Sequence, residues 1–387
     1  MEQLPEDVKE LLESIFKKSL SELKVSLHDP NRKGAGHLGE FFFVSLSDTC
    51  NNLRHEIAVK RSLTCQSDLF QKFLDSAFSN EIYFYKTLLP NYKRLEERFS
   101  TERFDKTPHF YGANEKCTIL VLNNLKLCGY GTHDKQKPLE KQHYDLIFET
   151  YGKLHALSFA LRELDSDGFL EAKEFLKVPF VEDFKTKSSA ELQEDLTKWM
   201  GNSEKLKKVV GNITENLREA YVYAGENEVL LHGDCWSNNI MFKYNESNKV
   251  EDIKLVDFQL CRVGTPVFDL SYCFYSGASE ELLAQLDYFL DIYHGSLSQS
   301  LRQFDLDPAI VYPMSTLRTE WKKYCRYGFC SAMTIWKVKL ASEEDALDMT
   351  KSEEEIRENF GGDKRITEEY LCKIQELVHH MRENGFA

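Results

Sequence analysis

Four polar residues within one short stretch could do chemistry together. His232-Gly233-Asp234 opens the stretch, Asn239 follows five residues after the aspartate, and Asp257 closes it. Two apolar runs of β type, Ile240–Tyr244 and Ile253–Phe258, flank the polar turn Asn245-Glu246-Ser247-Asn248, and that is a hairpin pattern. Such a hairpin carries Asn239 and Asp257 to one edge of a small sheet, with the His232–Asp234 loop beside them. Phosphoryl transfer from ATP needs a carboxylate that orients the attacking hydroxyl and accepts its proton. It also needs oxygen ligands for the magnesium ions that bridge the phosphates. Asp234 suits the first task, and Asn239 and Asp257 suit the second. A single aspartate at a strand end is better read as a turn cap; the joint placement of all three argues against that reading.

Protein kinases carry this chemistry on His-Arg-Asp-x4-Asn followed by Asp-Phe-Gly. Gly233 departs from them, and His-Gly-Asp-x4-Asn resembles the aminoglycoside phosphotransferase and choline kinase group. The fuller string, His232-Gly-Asp-Cys-Trp-Ser-Asn-Asn-Ile-Met-Phe with Asp257-Phe-Gln259 and Asp269-Leu270, resembles the ecdysteroid-kinase-like family of insects. Trp236, the paired Asn238-Asn239 and Gln259 are what narrow it, and the likeness is strongest from about Leu120 to Gly277. The resemblance implies an α+β, two-lobe protein-kinase-like fold. Residues 1–122 would form an N-lobe with an antiparallel sheet, a glycine-containing loop and a helix. Residues 123–387 would form a mainly helical C-lobe with the catalytic loop, metal site and acceptor pocket. It further implies ATP and magnesium as cofactors and a small-molecule alcohol as substrate, an ecdysteroid or another hydroxylated lipophile.

The elements that must position these groups can be read along the chain. Leu4–Leu20 has apolar residues at helical spacing, an acidic start and a basic end, which favours a packing helix. Gly34 to Val44 sits where a kinase's phosphate loop would lie. Gly36 and Gly39 allow close backbone approach to phosphates, whereas Glu40 is followed by three phenylalanines and no hydroxyl, so contact there would come from backbone. His55–Lys60 alternates as a strand, and Lys60 at its end matches the lysine that pairs ATP phosphates. Phe70–Leu89 is helical in spacing; within it Glu81 matches the helix glutamate that would orient Lys60. Thr118–Leu122 is an apolar strand leading to the connection between lobes, where Leu122 and Asn123 would border the adenine; Asn123-Asn124 stands where the family commonly has Glu-Asp.

His143–Leu161 is a helix by spacing, and its His155 is read as a structural core histidine. Leu161–Asn227 is charge-rich and helical in pattern, with Trp199 and Met200 as pocket walls. Asp269, at the start of a further helix, stands where this fold group holds its catalytic loop, and it is assigned with His232 to structural support. Ser279–Phe304, Pro313–Val338 and Ile366–Met381 read as C-lobe helices. Among them Trp321, Tyr324, Tyr327, Phe329 and Trp336 form an aromatic set, mostly core with a few lining an apolar acceptor pocket. No Ala-Pro-Glu follows Asp257, only a short run to Asp269, which argues against peptide substrates.

Composition bounds the answer from another side. A chain of 387 residues, 42% hydrophobic and 29% charged, can bury two cores and is ordinary for a globular protein. A net charge of −14 argues against nucleic acid or an anionic membrane as the main partner. Ten scattered cysteines without CxxC pairs, behind a charged N-terminal segment, predict reduced thiols and a cytoplasmic location. No run has the length of a membrane span, and no protein partner is implied. Two other functions share these features: a kinase for choline or an amino sugar, and a degenerate kinase that only holds a ligand. Magnesium-dependent ATP binding separates the last from the others.

Overall fold

The computed structural model describes residues 4–28, 39–48, 53–178, 213–340 and 367–386, with Glu194 and Glu355 besides. Gly36, Trp199 and Met200 lie outside the described residues. The two-lobe α+β expectation holds. The N-terminal part is a five-stranded antiparallel sheet: β1 (Lys24–His28), β2 (Gly39–Asp48), β3 (Leu53–Ser62), β4 (Phe110–Ala113) and β5 (Ile119–Asn123), in the order β1-β2-β3-β5-β4. Alternation along the strands gives its two faces different characters. Val44, Leu46, Ile57, Val59, Ile119 and Val121 turn to one side. There α1 (Glu6–Phe16) covers them with Val8, Leu11 and Leu12. The helix expected over Leu4–Leu20 is therefore shorter, ending at a left-handed Lys17.

The opposite face carries Phe41, Phe43 and Lys60. Lys60 pairs with Phe41 in register, and its ammonium lies 5.8 Å from the Phe41 ring centre. Behind it runs α2 (Asp68–Tyr83), capped by Ser67. The helix does not stop at Leu89 as its spacing suggested. It passes through one π turn, Phe84–Leu88, into α3 (Leu89–Phe99), with Pro90 in the first turn of α3. The π turn aims Phe84 at the catalytic segment, where its ring stacks on Phe258 at 3.6 Å and 7°.

The C-terminal part is built on α4 (Lys141–Leu164), which packs along α8 (Leu286–Gln303). Around them lie α5 (Ser166–Phe175), α6 (Ile213–Tyr221), α7 (Pro266–Tyr275), α9 (Met314–Tyr324), α10 (Arg326–Leu340) and α11 (Glu368–Glu383). The helix read over Pro313–Val338 is interrupted at Cys325, and the one over Ser279–Phe304 is preceded by a separate short turn at Glu280–Leu283. Trp321, Tyr324, Tyr327, Phe329 and Trp336 are all buried in the C-terminal core. Two small sheets complete this part: β6 (Tyr130–Thr132) with the hairpin β8 (Ile240–Tyr244) and β9 (Val250–Leu255), and β7 (Val229–Leu231) paired with β10 (Arg262–Gly264). The hairpin's second strand starts earlier than expected and ends at Leu255, because Asp257 takes a left-handed conformation (φ 68°, ψ 65°) that no strand accommodates. The nine described cysteines are free thiols, and among the described residues no helix is long and apolar enough to cross a membrane.

Candidate active site

The hairpin does what its sequence pattern implied. Ile240 pairs with Leu255, and the Val256 N–H donates to the Asn239 carbonyl at 3.0 Å, so Asn239 and Asp257 emerge side by side. The β7–β10 pairing sets Leu231 opposite Arg262, which lays the His232–Asp234 loop against the segment that follows Asp257. His232 bonds the Val256 carbonyl through Nε2 at 3.0 Å, tying loop to hairpin, and burial lowers its pKa so that it stays neutral in this role.

Asp269, in the first turn of α7, holds the loop's backbone. Its Oδ2 accepts from the His232 N–H at 2.8 Å and its Oδ1 from the Gly233 N–H at 3.0 Å. His155 on α4 sits 3.3 Å from Oδ2 and bonds Tyr293 through its other nitrogen, a structural part as expected. Burial pushes the Asp269 carboxyl up, but the hydrogen bond from His155, with Coulombic attraction to His155 and His232, outweighs it and holds the group at about 2. Gly233 has φ 86°, and a Cβ there would overlap the Leu260 carbonyl and crowd Arg262 Nη1 at 2.7 Å. Arg262 itself bonds the Gly233 and Leu260 carbonyls, both at 3.3 Å, and the Tyr327 hydroxyl at 2.9 Å. The glycine that set this motif apart from protein kinases thus has a local cause: its positive φ and the Leu260 carbonyl leave no room for a Cβ, and Arg262 crowds the same space.

Asp234 is gripped at both oxygens. Asn239 Nδ2 donates to its Oδ2 at 2.7 Å, and the Tyr272 hydroxyl donates to its Oδ1 at 2.8 Å. Burial, and after it the charge of Asp257, raise the Asp234 carboxyl to about 6 against these donors. Lys60 lies across the cleft with its ammonium 2.7 Å from Glu81 Oε2 and 2.8 Å from Asp257 Oδ1. Burial alone would lower the Lys60 pKa; Asp257 and Glu81 raise it above its ordinary value. Glu81, 1% exposed, is raised to about 7 by burial with Lys60 opposing. The ammonium is therefore the settled charge of the cluster, shared between two carboxylates.

Of the remaining predicted residues, Gly39 begins β2 directly behind Lys60, where a Cβ would lie 3.3 Å from the lysine Cγ. Leu122 is nearly buried opposite Ala58. The Asn123 N–H donates to the His109 carbonyl at 2.9 Å and the Asn124 N–H to the Glu56 carbonyl at 2.8 Å. Both N–H groups are thus taken by backbone carbonyls of neighbouring segments. Sequence reasoning missed Tyr272 and Arg262. Tyr272 stands three residues after Asp269, one helical turn on, and that spacing was the signal available. For Arg262 there was none.

Fold and site together define a phosphotransferase of the two-lobe, protein-kinase-like class, acting on the hydroxyl groups of small molecules. Residues 44–306 match the sequence profile of the ecdysteroid kinase-like family, and the chain belongs to that family. Among solved structures, a choline kinase from Cryptosporidium parvum Iowa II has the same fold at 15% identity. Its TM-score is 0.51, with 98% of this chain and 97% of that one covered. An ethanolamine kinase of Plasmodium vivax matches at 14% identity and TM-score 0.44, covering 95% of this chain and 84% of that one. The GDP complex of wild-type aminoglycoside 2'-phosphotransferase-IIIa matches at 11% identity and TM-score 0.42, with 98% of each chain covered. No curated protein matches the chain.

Proposed function

We propose that the chain uses magnesium and ATP to phosphorylate an alcohol of an ecdysteroid or of another hydroxylated lipophilic metabolite. The observation that carries this reading is the convergence of Lys60, Glu81, Asp257, Asn239 and Asp234 on one cleft, with the Lys60–Asp257 contact spanning 197 residues of sequence. The donor set fits a magnesium nucleotide. Asp257 engages Lys60 through one oxygen and has the other to offer a cation; Asn239 spends its amide nitrogen on Asp234 and has its side-chain oxygen to offer. Bound ATP and magnesium would supply the γ-phosphoryl group and the charge that neutralises it.

The chain's own residues divide the rest. Lys60, steadied by Glu81, offers a buried ammonium to phosphate oxygens. Asp257 and Asn239 would hold the cation. Gly39 begins the strand that passes over the phosphates, and Phe41 and Phe43, stacked at 6.4 Å, follow on it. Leu122 packs under the base, and Asn123 borders it through atoms other than its N–H. Asp234 orients the acceptor hydroxyl and takes its proton late in transfer, a role that its raised proton affinity favours. His232 and Asp269 keep the loop in place. Residues 1–122 form the nucleotide cradle and 123–387 the catalytic and acceptor part. A cytoplasmic setting accords with the free thiols.

The test is incubation with γ-labelled ATP and magnesium against a panel of ecdysteroids, with choline and an amino sugar alongside, and identification of the product by mass. Label on a steroid alcohol that depends on magnesium is the expected result. Label on choline or the amino sugar overturns the acceptor class. Absence of magnesium-dependent ATP binding overturns the enzymatic reading in favour of a ligand-holding protein.

A further inference from the structure

The helix after the metal loop touches the catalytic loop twice, one turn apart. Asp269 in the first turn of α7 takes the backbone N–H groups of His232 and Gly233. Tyr272, at i+3 and so on the same helix face, reaches the side chain of Asp234. Asp269 thereby sets where the loop runs, and Tyr272 acts on how the carboxylate at its tip is turned. Rotation about the last bond of an aspartate side chain is intrinsically loose, with broad wells rather than three sharp ones. Two donors from different elements, Tyr272 on Oδ1 and Asn239 on Oδ2, remove that freedom here.

The tyrosine is itself fixed. It is 6% exposed, and its ring meets Tyr327 edge-on at 6.2 Å and 90°. Tyr327 accepts from Arg262 Nη2, and Arg262 Nη1 returns to the Gly233 carbonyl of the same loop. The arrangement is thus a closed circuit: loop backbone to Arg262, to Tyr327, to Tyr272, and back to the loop through Asp234. Arg262 is always charged and donates only, so its end of the circuit does not change with conditions.

We propose that Tyr272 is a positioning residue for phosphoryl transfer. Its hydroxyl holds the Asp234 carboxylate at the rotation from which an oxygen meets the acceptor alcohol, with Arg262 and Tyr327 bracing the phenol. This rests on the kinase reading given above. Placement of a reacting group matters steeply: an error of about 1 Å can cost roughly 10²-fold in rate. Loss of one of two restraints should cost less, about tenfold.

The experiment uses the full chain, ATP with magnesium, and ecdysone as the acceptor. Tyr272→Phe keeps the ring against Tyr327 and removes only the hydroxyl. We expect kcat to fall about tenfold while the KM for ecdysone and the Kd for ATP stay within about twofold; the hydroxyl orients the base rather than binding either substrate. A merely structural tyrosine would instead lower the unfolding midpoint and move all three constants together. A second measurement does not need turnover. Denaturant midpoints of Tyr272→Phe, Asp234→Ala and the double variant should be non-additive, the effect of Tyr272→Phe shrinking by half or more once Asp234 is gone. A variant with parental kcat overturns the proposal, as do additive midpoints. A parent that transfers nothing to ecdysone overturns the functional reading instead, and the midpoints then still decide whether the contact exists.

Discussion

The two sides of the cleft hold their charges by different means. On one side Lys60 stands between two carboxylates, Glu81 from α2 and Asp257 from beyond the hairpin. On the other side Asp234 and Asp269 are met by a phenol, an amide, backbone N–H groups and a histidine. The first arrangement is Coulombic and joins the two lobes through Lys60 and Asp257. The second is a set of hydrogen-bonding groups inside one lobe; among the described residues no lysine or arginine is seated on either carboxylate. Two aspartates of that lobe show how far surroundings decide. Burial and the neighbouring Asp257 raise Asp234 to about 6. In Asp269 the hydrogen bond and Coulombic attraction of the histidines outweigh burial and hold it at about 2. One carboxylate is left able to take a proton, and the other is kept from doing so.

The comparison can be broken at four points. The largest effect is expected from Asp257→Ala, which should remove magnesium-dependent transfer while the thermal midpoint stays near the parent's, since Lys60 keeps Glu81 as a partner. A variant that unfolds would make Asp257 a turn cap, and one with full rate would remove it from the site. Asp234→Asn keeps the shape of the side chain and removes the base. Turnover should fall roughly 10²-fold or more, with ATP affinity by calorimetric titration close to parental. Turnover within a few-fold of the parent would take the central residue from the kinase reading.

A smaller effect concerns stability in acid. The Asp269 carboxyl is lower in the folded chain than in the unfolded one, so folding favours its ionised form. Its contribution is complete above the unfolded value near pH 4 and fades as pH falls toward about 2. The amount is on the order of 2–3 kcal/mol for a carboxyl moved from near 4 to about 2. Denaturant midpoints at pH 5 and pH 3 should therefore converge in Asp269→Asn relative to the parent; an equal acid dependence in both would show that the dipoles around Asp269 do not set its charge. The smallest effect is that of Lys60→Met. It should weaken ATP binding about tenfold, the scale of one hydrogen bond to a charged group, and leave acceptor KM within about twofold. Identical ATP kinetics in variant and parent would dissolve the Coulombic half of the comparison.

Much of this was legible in the chain. Asp234, Asn239 and Asp257 were readable because they ride on one hairpin, and a hairpin is a local object whose register follows from its turn and its alternation. The strand of Lys60 and the helix of Glu81 could be read from periodicity, and Asp269 from the resemblance that its spacing carried. Boundaries were less legible. The helix of Glu81 runs on past Leu89 because a π turn absorbs Pro90, and the hairpin ends at Leu255 because Asp257 is left-handed.

What only the tertiary structure decided are the contacts between segments with no shared period. No spacing announces that Lys60 touches Asp257, that the hydroxyl of Tyr272 faces Asp234, or that the Asn123 N–H is taken by His109. Nor does any motif say why residue 233 is glycine, since the obstacle is the Leu260 carbonyl, with Arg262 beside it, in the segment that the pairing of β7 with β10 brings back. The reason is physical: periodicity records which face of an element is apolar, and so which side it buries. The partner that each polar group finds on that side depends on how the elements stack, and that is settled only when the cores of both lobes close around them.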